Sequence, residues 1–374
     1  MNQSIVALIR PGLNLAQKEN HASHLIEHFL IAPKRLKKMG VSDDFYAKNI
    51  ITHSGETNSF YMTEYYVCNR DAVNDLKEIL KNHQGELCLE QDDFEKIKSA
   101  TIEELNENRG EFISTGEQLS RAIYSTGSPT IRNLWNNTKS ILKITPEEVE
   151  KIFYKHNTNL CLLNLSFDTF ELDNLPIIEK DKLRKTPKKI ELIHPWQSPD
   201  NVDVTHIVPY WDKPDFLIDM LYRHSLTDAR FGLIFNKLHH EKGLIYEISI
   251  HADYGDNTSE ITFSSSEKNI NKVIDIIKQT LKNYDQFIEK NITYIKDRLK
   301  LDLALDWGNI QNFVIWNIDR VILGKWAESP RTLIERIDQI TEKKLVEYNN
   351  FFSNSLDSYA ITVIRRYGKT VSTK

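Results

Sequence analysis

Residues 21–30 read HASHLIEHFL, which places three histidines and one glutamate within eight positions. Leu25, Ile26, Phe29 and Leu30 recur at helical spacing, and Asn20 ahead of them is a candidate N-cap, so a helix is expected here. His24 and His28 then stand at i and i+4, and both imidazoles project from one face. That spacing suits two ligands of one tetrahedral zinc ion. Glu27 lies between them, where a carboxylate serves as a base toward water at the ion rather than as a third in-line ligand. The competing reading is an ordinary polar face, because histidines on helices more often cap or meet solvent. A metal site also needs a third protein ligand in a credible place.

The segment DDFEKIKSATIEELNEN, residues 92–108, supplies a candidate. Phe94, Ile97, Ile102 and Leu105 lie on one face at helical spacing, which turns Glu103 toward solvent and puts Glu104 on the inward flank. A carboxylate beside an apolar face is costly unless it is paired or bound to a metal. The corresponding helix of the second half, FIEKNITYIKDRL, has Arg298 where Glu104 would align, and that half contains no HxxEH. Only one half therefore keeps a His, His, Glu set.

The halves are visible as an internal repeat. ITPEEVEKIFYKH (144–156) and ITEKKLVEYNNFF (340–352) each begin with a threonine helix-start signal and lead into a β-rich run. NDLKEILKNHQG and INKVIDIIKQTLKN rhyme in the same way, each followed by a long helix. Between the halves lies EKDKLRKTPKKI, charged and without hydrophobic periodicity. The expected organisation is an N-terminal α+β domain over residues 1–178, a basic linker over 179–190 and a homologous α+β domain over 191–374.

Composition bounds the function. The chain has 374 residues and a formal net charge of -5, so no general basic field points to nucleic acid. Cys68, Cys88 and Cys161 are widely spaced and odd in number, which suggests a reducing compartment rather than a disulfide framework. The apolar run in MNQSIVALIRPG is too short and too early for a signal peptide, and no stretch approaches the roughly 20 apolar residues that span a membrane. A cytoplasmic location, without membrane contact, is the expectation.

These residues together resemble the pitrilysin and insulinase family of zinc endopeptidases, whose signature is HxxEH. In that family the motif is followed, several tens of residues later, by a liganding glutamate on a helix; Glu104 follows His28 by 76 residues. GETNSFYMTEYYVC resembles the family's substrate-strand motif, with Asn58, Ser59 and Glu64 matching, and LIFNKLHHEKGLIYEI resembles its second-half motif. The resemblance covers nearly the whole chain and has four motifs in the correct order. It implies a fold of two tandem homologous α+β domains, half of a clam-shell peptidase chamber, with His24, His28 and Glu104 as ligands of one Zn2+ per chain. Glu27 would be the general base, Tyr246 would help hold and polarise the substrate carbonyl, and Asn58, Ser59 and Phe60 would seat the peptide as an added strand.

There are departures from the pattern. His239 stands at the family's second-half arginine, and an imidazole does not replace a bidentate guanidinium. Ile97 sits where many members have another glutamate. His21 replaces a common glycine and reads as solvent-facing or as an extra ligand. The short segment before His24 suggests that the first strand of the fold is missing. Because short family members act as dimers, the complete zinc set and incomplete arginine motif imply the catalytic subunit of a heterodimer whose homologous partner supplies Arg and Tyr. A homodimeric oligopeptidase and a non-catalytic assembly subunit are the alternatives. The expected substrates are oligopeptides or leader peptides.

Overall fold

The computed structural model describes residues 3–11, 20–57, 61–87, 89–107, 141–158, 160–173, 189–194, 201–209, 215–253, 258–308, 318, 328–358 and 360–367. Asn58, Ser59, Phe60, Cys88 and residues 179–188 of the charged segment lie outside them, as does the side chain of His21.

The first strand is present, against the expectation from the short N-terminus. β1 (Gln3–Pro11) carries the run IVALI, and every residue from Ser4 to Pro11 is buried. A β-branched run buried on both faces is what an inner strand needs. β1 pairs antiparallel with both β3 (Tyr61–Asn69) and β4 (Cys161–Ser166), so it is an inner strand of the sheet. With β2 (Ile50–Thr57) and β5 (Phe170–Leu172), the order is β2-β3-β1-β4-β5.

The helices of this half are α1 (Asn20–Leu30), α2 (Pro33–Lys38), α3 (Asp43–Asn49), α4 (Val73–His83), α5 (Gln91–Glu107) and α6 (Pro146–Asn157). α6 begins with the expected threonine signal, which proves to be a full capping box: Glu148 N donates to Thr145 Oγ1 and Thr145 N donates to Glu148 Oε2. Val6, Leu8, Tyr66 and Cys68 of the sheet pack with Leu76 and Leu80 of α4. A second cluster joins Leu25, Ile26, Phe29 and Leu30 of α1 to Phe94 of α5 and Val149 and Phe153 of α6.

The second sheet contains β6 (Lys189–His194), β7 (Asn201–Pro209), β8 (Ile248–Asp253), β9 (Thr258–Ser266) and β10 (Ile361–Tyr367), in the order β6-β10-β7-β9-β8. Lys189 and Ile190, assigned to the linker by composition, thus open a strand; it pairs parallel with β10. The repeat is clear in the pairing. A hairpin (β2–β3 or β8–β9) lies beside the opening strand (β1 or β7), and the closing strand (β4 or β10) lies on its other side. The longer helices described here are α7 (Phe216–Thr227), α8 (Ile270–Leu281), α9 (Tyr284–Gly308), α10 (Pro330–Ile337) and α11 (Glu342–Ser358). Each half is therefore α+β, mixing helices with a mainly antiparallel sheet.

The chain forms two compact units, and the described residues 304–308, 318 and 328–333, expected in the C-terminal half, belong to the first. Arg331 explains part of this: its N–H donates to Phe167 O at 3.1 Å and its Nε meets Asp168 Oδ1 at 2.8 Å. Among the described residues, no helix is long and apolar enough to cross a membrane.

One charged network is fully enclosed in the first unit. Glu64 of β3 is 0% exposed and lies between the equally buried Arg10 of β1 and Arg35 of α2. Arg10 Nη2 meets Glu64 Oε1 at 2.9 Å, Arg35 Nη2 donates to the same oxygen at 3.1 Å, and Tyr66 OH donates to Oε2 at 3.1 Å. Burial pushes the Glu64 carboxyl up, but the Arg35 and Arg10 guanidiniums more than reverse this and hold it below the usual range. Neutralising Glu64 would take away the carboxylate that compensates two buried guanidiniums, at a cost of about 3–5 kcal/mol. Glu64→Gln is therefore expected to destabilise the first unit by that amount in chemical denaturation. A loss below about 1 kcal/mol would show that the network relaxes without its anion.

Candidate metal centre

α1 is amphipathic in the way the sequence suggests. Ala22, Leu25, Ile26, Phe29 and Leu30 are buried, while His24, Glu27 and His28 are partly exposed on the adjoining face. The C-terminal end of the helix is held firmly. Leu30 O accepts from Arg35 Nη1 at 2.8 Å, and Ile31 O meets His53 Nε2 at 2.9 Å. Because a carbonyl only accepts, His53 carries its proton on Nε2, and its Nδ1 accepts from Tyr46 OH at 2.6 Å. Carbonyls left open by the helix end are thus satisfied by side chains from α2 and β2.

α5 lies against α1. The rings of Phe29 and Phe94 stack with centroids 6.0 Å apart. Phe94 and Thr101 are buried and Ile97 packs on the core, so the inner face of α5 runs through 94, 97 and 101. This differs from the expected face through Ile102 and Leu105: Ile102 is only partly buried, and the Leu105 side chain lies outside the described residues. Thr101 is tolerated inside because its hydroxyl donates to Ile97 O at 2.9 Å. Glu104 continues the 94-97-101 series and is partly exposed, whereas Glu103 is exposed.

That phase brings Glu104 to the two histidines. His24 Nε2 and His28 Nε2 are 3.2 Å apart, His24 Nε2 lies 3.5 Å from Glu104 Oε1, and His28 Nε2 lies 3.1 Å from Glu104 Oε2. Ligands of a tetrahedral zinc with bonds of about 2.0–2.1 Å stand roughly 3.4 Å apart. The donor types and separations fit that ion. Among the described residues three donors converge, the number that catalytic rather than structural zinc sites use.

Glu27 is aimed differently. Its side chain lies over Gly55 of β2, where an added Cβ would come within 2.4 Å of Glu27 Cγ. Burial pushes its pKa up to about 7, against a hydrogen bond with Thr57 and aided by the charge of Glu104. This is the pKa range of a base that works near neutrality. The structural need for Gly55 was missed in the sequence, which shows a glycine there but not what approaches it.

Tyr246 and His239 lie in the second unit. Tyr246 is 81% exposed, and its ring centroid lies 6.1 Å from that of His239. His239 stacks on Phe235, and its Nδ1 meets Ile245 O at 2.9 Å. The proton on Nδ1 leaves Nε2 of the neutral ring as an acceptor. His239 therefore does not act like a guanidinium. Asn58, Ser59 and Phe60 lie outside the described residues. The two described thiols are poor nucleophiles, because burial pushes Cys68 up to about 12 and Cys161 up to about 11.

The sequence matches no family model and no curated protein. Solved structures share its fold. A protease from Helicobacter pylori superposes with a TM-score of 0.66 at 12% identity, covering 98% of this chain and 94% of its own. A conserved protein from Enterococcus faecalis V583 gives 0.64 at 13%, covering 99% and 94%. A peptidase M16 inactive domain from Pseudomonas fluorescens gives 0.64 at 15%, covering 100% and 94%. The chain thus has the fold of M16, or pitrilysin-like, peptidase domains, including one described as inactive.

The helix phase generates a prediction. Glu104→Gln is expected to lower zinc retained after dialysis by an order of magnitude or more in affinity, and Glu103→Gln to leave it unchanged. Elemental analysis of both variants checks this; equal losses would contradict the assignment of Glu104.

Proposed function

We propose that this protein is a zinc-dependent endopeptidase. The observation that carries the reading is the convergence of His24, His28 and Glu104 from two helices, with the partly buried Glu27 one residue from His28. The M16-type fold supports it, as does the resemblance of four sequence motifs. When bound, zinc supplies a Lewis acid that acidifies water and polarises the scissile carbonyl. His24, His28 and Glu104 would hold the ion. Glu27 takes the proton of the attacking water and returns it to the leaving nitrogen, a role suited to a carboxyl with a pKa near neutrality. Residues 58–60 would seat the peptide as an added strand, and the exposed Tyr246 would hold the substrate carbonyl.

Glu27→Gln is expected to lower turnover of a quenched oligopeptide by about 10²–10⁴ while leaving zinc content unchanged. Gly55→Ala should also spare the ion but displace Glu27, costing on the order of 10² in turnover. Zinc loss in either variant, or activity close to wild type, would contradict the assigned roles. A non-catalytic role is the second reading, favoured by the likeness to an M16 domain described as inactive. A zinc-loaded chain that hydrolyses no peptide, alone or with a homologous subunit, would favour it.

The chain is proposed to act as the catalytic subunit of a heterodimer in the cytoplasm, with a homologous partner that supplies an arginine beside its tyrosine. The supporting feature is His239, whose Nδ1 is committed to Ile245 O. His239→Arg is expected to raise turnover of the unpartnered chain by on the order of 10². Full activity of the unpartnered wild type, with no gain on substitution, would favour the homodimer.

A further inference from the structure

The second unit contains another converging set of donors. His224 lies in the last turn of α7, Asp228 caps that helix, and Asp302 lies on α9. His224 Nε2 is 3.8 Å from Asp228 Oδ2 and 3.7 Å from Asp302 Oδ2. These separations are too long for hydrogen bonds, and His224 Nε2 is a buried atom without a hydrogen-bond partner. A buried polar atom facing two carboxylate oxygens, yet bonded to neither, needs an explanation.

The outer oxygens are held in place. Asp228 Oδ1 accepts from Arg230 N at 2.8 Å, within a turn so tight that a Cβ at Gly232 would lie 2.6 Å from Asp228 N and O. Asp302 Oδ1 is bound by Arg298 Nη2 at 2.9 Å. Each carboxylate is thus anchored through one oxygen and turns the other toward His224. Outer-shell donors orient metal ligands in this way. Arg298 Nε is 3.9 Å from Asp228 Oδ2 and also lacks a hydrogen-bond partner, so the guanidinium does not close the gap. Arg223, the other nearby cation, is engaged with Asp219 at 3.0 Å.

The repeat explains the location. α1 follows the opening strand of its sheet, and α7 follows the opening strand of the other. Laid on each other, HLIEH (24–28) and MLYRH (220–224) place His224 at the position of His28. The long helix carries a facing carboxylate in both halves: Glu104 in one and, one turn beyond the Arg298 that aligns with it, Asp302 in the other.

We propose that His224, Asp228 and Asp302 form a second cation site that takes a divalent first-row ion. One imidazole and two carboxylates suit Mn2+ or Zn2+. A closure of about 0.3 Å brings the His–Asp separations to those around a single ion. The site is separate from the candidate catalytic centre and does not depend on that reading.

The test uses the full chain with His24→Ala and His28→Ala, which removes the first centre. After dialysis against MnCl2 or ZnCl2, elemental analysis is expected to find about one ion per chain. Adding His224→Ala, or the near-isosteric Asp302→Asn if the alanine variant does not fold, is expected to abolish it. No retained ion in the folded His24→Ala, His28→Ala chain would overturn the proposal, as would an ion that persists after the added substitution. Failure of the catalytic-site reading shows separately, as an equal ion count in wild type and the His24→Ala, His28→Ala chain.

Discussion

The first unit is organised around one buried carboxylate. Glu64 is enclosed among Arg10, Arg35 and Tyr66, and these residues tie strands β1 and β3 to α2. The reach of the network is what matters. Arg35 continues to Leu30 O, at the end of α1, and to Glu86 O, in the approach to α5. Arg10 continues to Asn157 Oδ1 at the end of α6. An apolar core of the same volume could be equally stable, since buried ion pairs barely repay their desolvation. An apolar core would not, however, fix the ends of three elements in one relative register. The two histidines sit on the helix whose last turn this network holds.

Around that frame, two close approaches decide the chemistry. Phe29 against Phe94 sets α5 beside α1 and so brings Glu104 to His24 and His28. Gly55 lets Glu27 lie flat against β2, in an environment that raises its pKa. His24, His28 and Glu104 are partly exposed, whereas burial raises the pKa of the Glu27 carboxyl. A carboxylate kept near neutral pKa can exchange a proton, whereas an exposed one beside the imidazoles is free to bind an ion.

Much of this was legible in sequence because it is local. His24 and His28 fall on one helix face by spacing alone, the threonine signals at 145 and 341 announce helices, and the repeat of elements reappears as matching strand order in two sheets. What was not legible is long-range. The run IVALI gave no sign that it is an inner strand, because burial on both faces comes from neighbours distant in sequence. The inner face of α5 was misphased because Thr101, polar by type, is buried through a bond to its own helix. Residues 328–333 join the first unit through contacts such as Arg331 with Asp168, which no periodicity reveals. The cluster of His224, Asp228 and Asp302 was missed for the same reason, since its two carboxylates lie 74 residues apart in sequence.

The two halves keep a matching strand order, while only the first carries the HxxEH set. The central claim is that the first half holds zinc between α1 and α5. Anomalous diffraction at the zinc edge, from crystals of the zinc-loaded chain, tests it most directly. The account predicts an anomalous peak at bonding distance, about 2.0–2.1 Å, from His24 Nε2, His28 Nε2 and a Glu104 oxygen. A zinc-loaded crystal with no peak between these three residues would contradict it.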